Sequence, residues 1–264
     1  MDDNAMYKIP TIDFSVPGLL ALAQLGVFAV FTYWGAEDIS GNIDYLFPLM
    51  TATAGLAIFL SVPNARIAAT AGIPAIMIVM SVVLEDQSDM AFWAIFMLIM
   101  VGSISYLPAM ALGNQTLGLD DETRMQRFGP LWVLFALLMM FMFGTIEGAM
   151  VGEIVDEDSD GNEIITELDS NEQMISQGAM AMGLIGIAVF LATGILGMEI
   201  GQMRPWHGGV LASVALCLTA FARYSAEMFD IVPDSGMILA MCGILTLAPC
   251  AAYEGDGSSS DSEE

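Results

Sequence analysis

Polar and apolar positions along this chain are sorted into long blocks instead of being interleaved. Apolar runs fall near residues 17–36, 45–62, 67–84, 90–113, 129–151, 177–198, 208–226 and 236–252, with short polar connections between them. They lack the period-two alternation of half-buried strands and the narrow stripe of a soluble amphipathic helix. Each is close to the roughly 20 residues that a helix needs to cross the hydrocarbon core of a bilayer. The expected fold class is therefore all-α, a polytopic membrane protein of about eight transmembrane helices. The first run is too long for a signal-peptide core and has no small-residue cleavage site, so it counts as a span.

The runs divide into two sets of four. Residues 17–36 align with 130–149 at Pro17/Pro130, Ala23/Ala136, Leu25/Leu138, Phe28/Phe141, Thr32/Thr145, Gly35/Gly148 and Ala36/Ala149. GLAIFLS at 55–61 is similar to GIAVFLA at 186–192, and Arg66 and Arg204 each precede a run. Met100/Met241, Gly102/Gly243, Pro108/Pro249 and Ala111/Ala252 keep one constant offset. Apolar sequences also match by accident, but four collinear pairs point to two parallel four-helix repeats about an axis along the membrane normal. The organisation expected is a cytoplasmic N-terminal segment (1–16), a first repeat (17–113), a cytoplasmic linker (114–128) and a second repeat (129–252). The second repeat carries an acidic external loop (152–176), and a disordered acidic tail (253–264) follows it.

Composition agrees with insertion into a lipid bilayer, since 56% of the residues are hydrophobic and 14% charged. A soluble domain covers itself with more polar surface than that. With the N-terminus inside, Lys8, Arg66, Arg124, Arg127 and Arg204 fall in cytoplasmic segments, and Arg223 alone lies elsewhere. That distribution follows the positive-inside rule and predicts cytoplasmic termini in a multi-pass protein of the cell membrane. A net charge of −25 repels phosphate backbones, which excludes nucleic acid as a partner. Two readings of the acidity stay open: adaptation to high salt, or a surface that draws in cations.

The external loop carries the most specific motif. Asp156, Asp158, Asp160 and Glu167 fit D-x-D-x-D-G-x5-E, with Gly161 at the turn, which is the ligand spacing of a calcium loop. The same stretch reads as a metal-free β-hairpin, GEIVDE and EIITEL flanking a Ser-Asp-Gly-Asn turn. Calcium is the one cofactor considered. Ionisable residues at membrane depth are the next candidates. Glu147 and Arg223 fall in the outer thirds of their spans, and Glu227 follows Arg223 by one helical turn. A buried guanidinium needs partners, so an ion pair of Arg223 with Glu147, Glu227 or both is expected. A small solute passing between the repeats would meet Gln24, Phe28, Thr32, Phe141 and Thr145. The bland reading of Gln24 is a hydrogen bond between helices, and Gly197 and Gly201 are expected to permit close helix packing. Cys217, Cys242 and Cys250 read as core residues, and His207, the single histidine, rules out a multi-histidine metal site. No HExxH, GxSxG or P-loop is present, so an enzyme is not expected.

LWVLFALLMMFMFGTIEGAMV (131–151) and GIAVFLATGILGMEIGQ (186–202) resemble helices of the acetate uptake transporter family. Members carry an FGT-x-x-GA segment in one span and GLA-x-F-L in another, which GLAIFLS at 55–61 also approaches. The resemblance implies transport of a small monocarboxylate. Ser15-Val16-Pro17-Gly18 stands where the family has Asn-Pro-Ala-Pro, and the family has fewer spans. A second class of function suits the same features: a non-transporting accessory or scaffold protein whose acidic external loop binds a partner or calcium. Oligomeric state is not legible in the chain.

Overall fold

The computed structural model describes residues 12–37, 45–83, 90–112, 121–157, 163–224 and 235–257. Helices form on the apolar runs: α1 (Val16–Glu37), α2 (Leu46–Phe59), α3 (Ala65–Val83), α4 (Met90–Leu112) and α5 (Asp121–Met142). They continue as α6 (Thr145–Met150), α7 (Ser170–Phe190, extended by a π-helical turn at Leu191–Ile195), α8 (Pro205–Tyr224), α9 (Ser235–Leu245) and α10 (Ala248–Gly257). Strands β1 (Glu153–Glu157) and β2 (Glu163–Glu167) make an antiparallel hairpin between α6 and α7.

Among the described residues, seven helical stretches are long and apolar enough to cross a membrane. The architecture is that of an integral, multi-pass helical membrane protein. The remaining apolar helix, α2, has 14 residues, about 21 Å of helix against about 30 Å of hydrocarbon. The expected second span is thus shorter than the layer it would have to cross.

Element ends depart from the apolar pattern because backbone hydrogen bonding continues into polar sequence. Helix α5 takes in residues 121–128 of the expected linker, α7 starts at Ser170 inside the expected loop, and α10 runs to Gly257 inside the expected tail. The run 129–151 is not one helix. It breaks at Phe143–Gly144, where Gly144 adopts φ +63. Gly197 and Gly201 lie in the loop after the π-helical turn, with nothing near a Cβ built on either. Close packing is supplied instead by Gly186 and Gly208 at the crossing of α7 and α8, where a Cβ on Gly186 would come within 2.8 Å of the Gly208 carbonyl oxygen.

Helices α1 and α4 occupy the middle of the bundle. Helix α1 packs on α2, α4, α9 and α10, and α4 packs on α1, α3, α5, α9 and α10. Phe28, Met100, Ile104, Trp132 and Phe190 are fully buried there, with Trp132 tilted by 40° against Phe190 at 4.2 Å between centroids. Leu49, Val79, Val82 and Phe141 point outward, a belt that suits lipid and would be a liability in water. Helix α2 runs antiparallel to α1, with Phe47 and Pro48 against Gly35, Thr51 against Thr32 and Gly55 against Phe28.

Candidate functional site

Buried polar groups gather at two levels of the bundle. The first lies toward the end opposite the hairpin. Continued by one turn, the register of α1 on α2 brings Phe59, the last residue of α2, level with Gln24. Gln24 is 3% exposed, and its Nε2 has no hydrogen-bond partner among the described residues. The buried hydroxyls of Ser103 and Ser105 on α4 and Thr70 on α3 are likewise without one.

Two prolines shape this level. Proline has no N–H, so Pro108 and Pro249 cannot donate to the carbonyls one turn earlier, and each loosens its helix. In the second case the helix breaks between α9 and α10, and Cys250 N–H bonds the Leu247 carbonyl. The carbonyl three residues before each proline takes a side-chain donor. Arg66 Nε donates to Ser105 at 3.1 Å, and Trp132 Nε1 donates to Thr246 at 3.0 Å. Arg124, 3% exposed, donates through Nη1 to the Met110 carbonyl at 2.8 Å. These bonds tie α4 to α3 and α5, and α5 to the turn between α9 and α10, while α1 and α4 both pack on α9 and α10.

The second level lies under the hairpin. A cavity of about 310 Å³ opens between β1, β2, α7 and α8, with Thr166, Glu172, Ser176, Thr219, Arg223 and Tyr224 among its walls. Arg223 Nη1 donates to the Phe143 carbonyl at the break between α5 and α6. The guanidinium carbon is 5.2 Å from the centre of the Tyr224 ring. Thr219 Oγ1 shares a 3.1 Å hydrogen bond with Thr145 Oγ1. Glu172 is held by a capping box: Asp169 accepts from the N–H groups of Asn171 and Glu172, and Glu172 Oε2 accepts from Asp169 N–H at 2.9 Å.

The residues singled out from sequence are spread over several surroundings. Phe28 and Thr32 line a crevice of about 230 Å³ between α1 and α2, and Thr32 shares a 3.0 Å hydrogen bond with Thr51. Thr145 is buried behind the hairpin-end cavity, while Phe141 is 69% exposed on the outside of α5. The five expected pathway residues therefore do not converge on one cavity. A sequence alignment of apolar runs bears on a residue's height along its helix, whereas packing decides which way it faces. Glu147 is half-buried in the first turn of α6. Arg223 reaches the chain next to that turn through the Phe143 carbonyl, and Glu227 lies outside the described residues.

Asp158 and Asp160 also lie outside them. In the ladder Asp156 pairs with Ile164 and Glu167 with Glu153, which puts Asp156 and Glu167 three rungs apart, about 10 Å along the strands. The hairpin forms over the described residues Glu153–Glu157 and Glu163–Glu167. Sequence reasoning passed over Arg124, Trp132, Ser103, Ser105, Glu172 and Ser176. A usable signal existed for Glu172, because Asp169-x-x-Glu172 just ahead of an apolar run has capping-box spacing.

No known protein family, curated protein or solved structure matches this chain. The resemblance to acetate uptake transporters stays with the apolar segments that carry it.

Proposed function

We propose that this protein moves a small solute, such as a monocarboxylate, across the cell membrane between two four-helix halves. The observation that carries the reading is the set of buried polar atoms of Gln24, Ser103 and Ser105 without a partner among the described residues, on two helices, α1 and α4, that both pack on the broken pair α9 and α10. Unpartnered polar groups are costly inside a bilayer, and interrupted helices are tolerated there where they are buried in protein or line a water-filled path. Sites at the junction of repeats are built this way in transporters. The packing of α1 on α9 and α10 has its counterpart in the packing of α5 on α4, as two related halves require. Ser105 and Thr246 stand at the same distance before Pro108 and Pro249, which adds a matched pair of carbonyl acceptors. Orientation with the N-terminus inside puts Arg66, Arg124, Arg127 and Arg204 on the cytoplasmic face and the hairpin outside.

The test is uptake of labelled small solutes, monocarboxylates first, by liposomes holding the purified protein. Uptake above that of empty liposomes is expected, with a loss of at least tenfold in Gln24→Leu at unchanged elution from size exclusion. If no solute is taken up, the accessory-protein reading gains, with the exposed Glu153 and Glu167 of the hairpin as its contact surface.

A further inference from the structure

From Leu46 to Val83 the chain holds one charged residue, Arg66, in a protein whose net charge is −25. In the same stretch α2 and α3 part to leave a groove of about 350 Å³. Small side chains make it: Ala54 and Ala57 on α2 and Ala65, Ala68 and Ala69 on α3 line its walls, with Ile73 at the far end. Thr53 is the one polar residue of the lining, and its hydroxyl donates to the Leu49 carbonyl of its own helix at 2.7 Å. We infer that the groove holds an acyl chain of an anionic phospholipid from the bilayer, with the lipid's phosphate on Arg66.

Arg66 follows directly on Ala65, at the end of the groove next to the turn at Leu60–Asn64. Its Nε donates to the Ser105 carbonyl at 3.1 Å, and it makes no other hydrogen bond or ion pair among the described residues. Its two Nη groups are therefore open to a phosphate, which a guanidinium binds through paired charge-assisted bonds. The first turn of α3 adds the positive end of a helix dipole at the same place. Because α2 stops at Phe59 after 14 residues, headgroups dip to the depth of that turn, level with Arg66. From Ala65 to Ile73 the groove runs about 12 Å along α3. That is close to half of the roughly 30 Å core, so a chain anchored at Arg66 lies in the groove within one leaflet. A zwitterionic lipid offers the same chains without net charge, and an anionic one complements the lone cation. A second copy of the protein would meet this face about an axis along the membrane normal. Two Arg66 side chains would then stand at one depth, with no acid between Leu46 and Val83 to balance them.

Binding here does not depend on whether the protein transports a solute. The experiment is native mass spectrometry of the full-length protein released from mixed micelles that hold equal amounts of phosphatidylglycerol and phosphatidylcholine. Phosphatidylglycerol is expected to be retained at least tenfold more than phosphatidylcholine. Arg66→Gln should bring the two lipids level. Because Arg66 also ties α3 to α4, a second variant is needed. Ala68→Leu, which fills the groove and leaves the arginine in place, should cut phosphatidylglycerol retention at least tenfold in a protein that still melts cooperatively. Equal retention of the two lipids by the unaltered protein would overturn the inference. So would displacement of the lipid by an equal concentration of glycerol 3-phosphate, which would assign Arg66 to a soluble phosphate. A preference that survives Ala68→Leu would move the lipid to another cation. A lipid-free dimer that Ala68→Leu converts to monomer would give the groove to a second copy.

Discussion

Gly144 shows how much can hang on one backbone angle. Its φ of +63 ends α5 and frees the Phe143 carbonyl that Arg223 occupies, and a Cβ there would run into the guanidinium. A non-glycine residue in this left-handed conformation costs about 1–2 kcal/mol before any clash is counted. Gly144→Ala is expected to lose at least that much stability in thermal denaturation in detergent. An unchanged melting temperature would mean that the break and its arginine are not coupled. Arg223 stood out in the sequence as the one cation away from the set read as cytoplasmic. Its acceptor did not. A carbonyl becomes an acceptor only where a helix gives up its own bond, and one glycine in an apolar run does not announce that. The same limit hid the bond from Trp132 to Thr246.

At the scale of elements, the apolar runs gave away the helices because a bilayer leaves the backbone few alternatives to bonding within its own helix. They gave away the ends less well, since the first turns of α5 and α7 are polar and are held by other means, such as the capping box at Asp169. The hairpin was legible from its alternation and turn residues, and its register adds something the sequence did not reveal. Glu153 stands opposite Glu167, and Glu157 opposite Glu163. Like charges directly across a ladder destabilise it, while opposite charges contribute roughly 0.2–1 kcal/mol. Glu153→Lys should therefore slow amide hydrogen exchange in β1 and β2 at low ionic strength, with the gain shrinking as salt screens both pairs. Exchange that stays as fast in the variant would show that this pair does not limit the hairpin.

For the molecule as a whole, the number of apolar runs was legible and their unequal reach was not, because hydropathy registers where a run lies but not how much of it becomes helix. Helix α2 has 14 residues, while α7 and its π-helical turn form a stretch of 26. At 1.5 Å per residue these are about 21 Å and about 39 Å, against a core of roughly 30 Å. The polar first turns of α7, from Ser170, can stand in the headgroup region, so the shortfall of α2, which packs on α1 and α3, is the one that lipid must meet. Lipid beside α2 must thin or let headgroups dip toward the turn at Leu60–Asn64. Such mismatch costs fractions of a kcal/mol per ångström and sorts proteins among membranes of different thickness. Melting temperatures of the protein reconstituted in phosphatidylcholines of increasing chain length should pass through a maximum and fall toward the longest chains. A curve flat across the series would mean that lipid does not feel the step. Where it does, the short flank pulls the bundle's tilt in one direction, and membrane thickness becomes a mechanical input to the protein's posture.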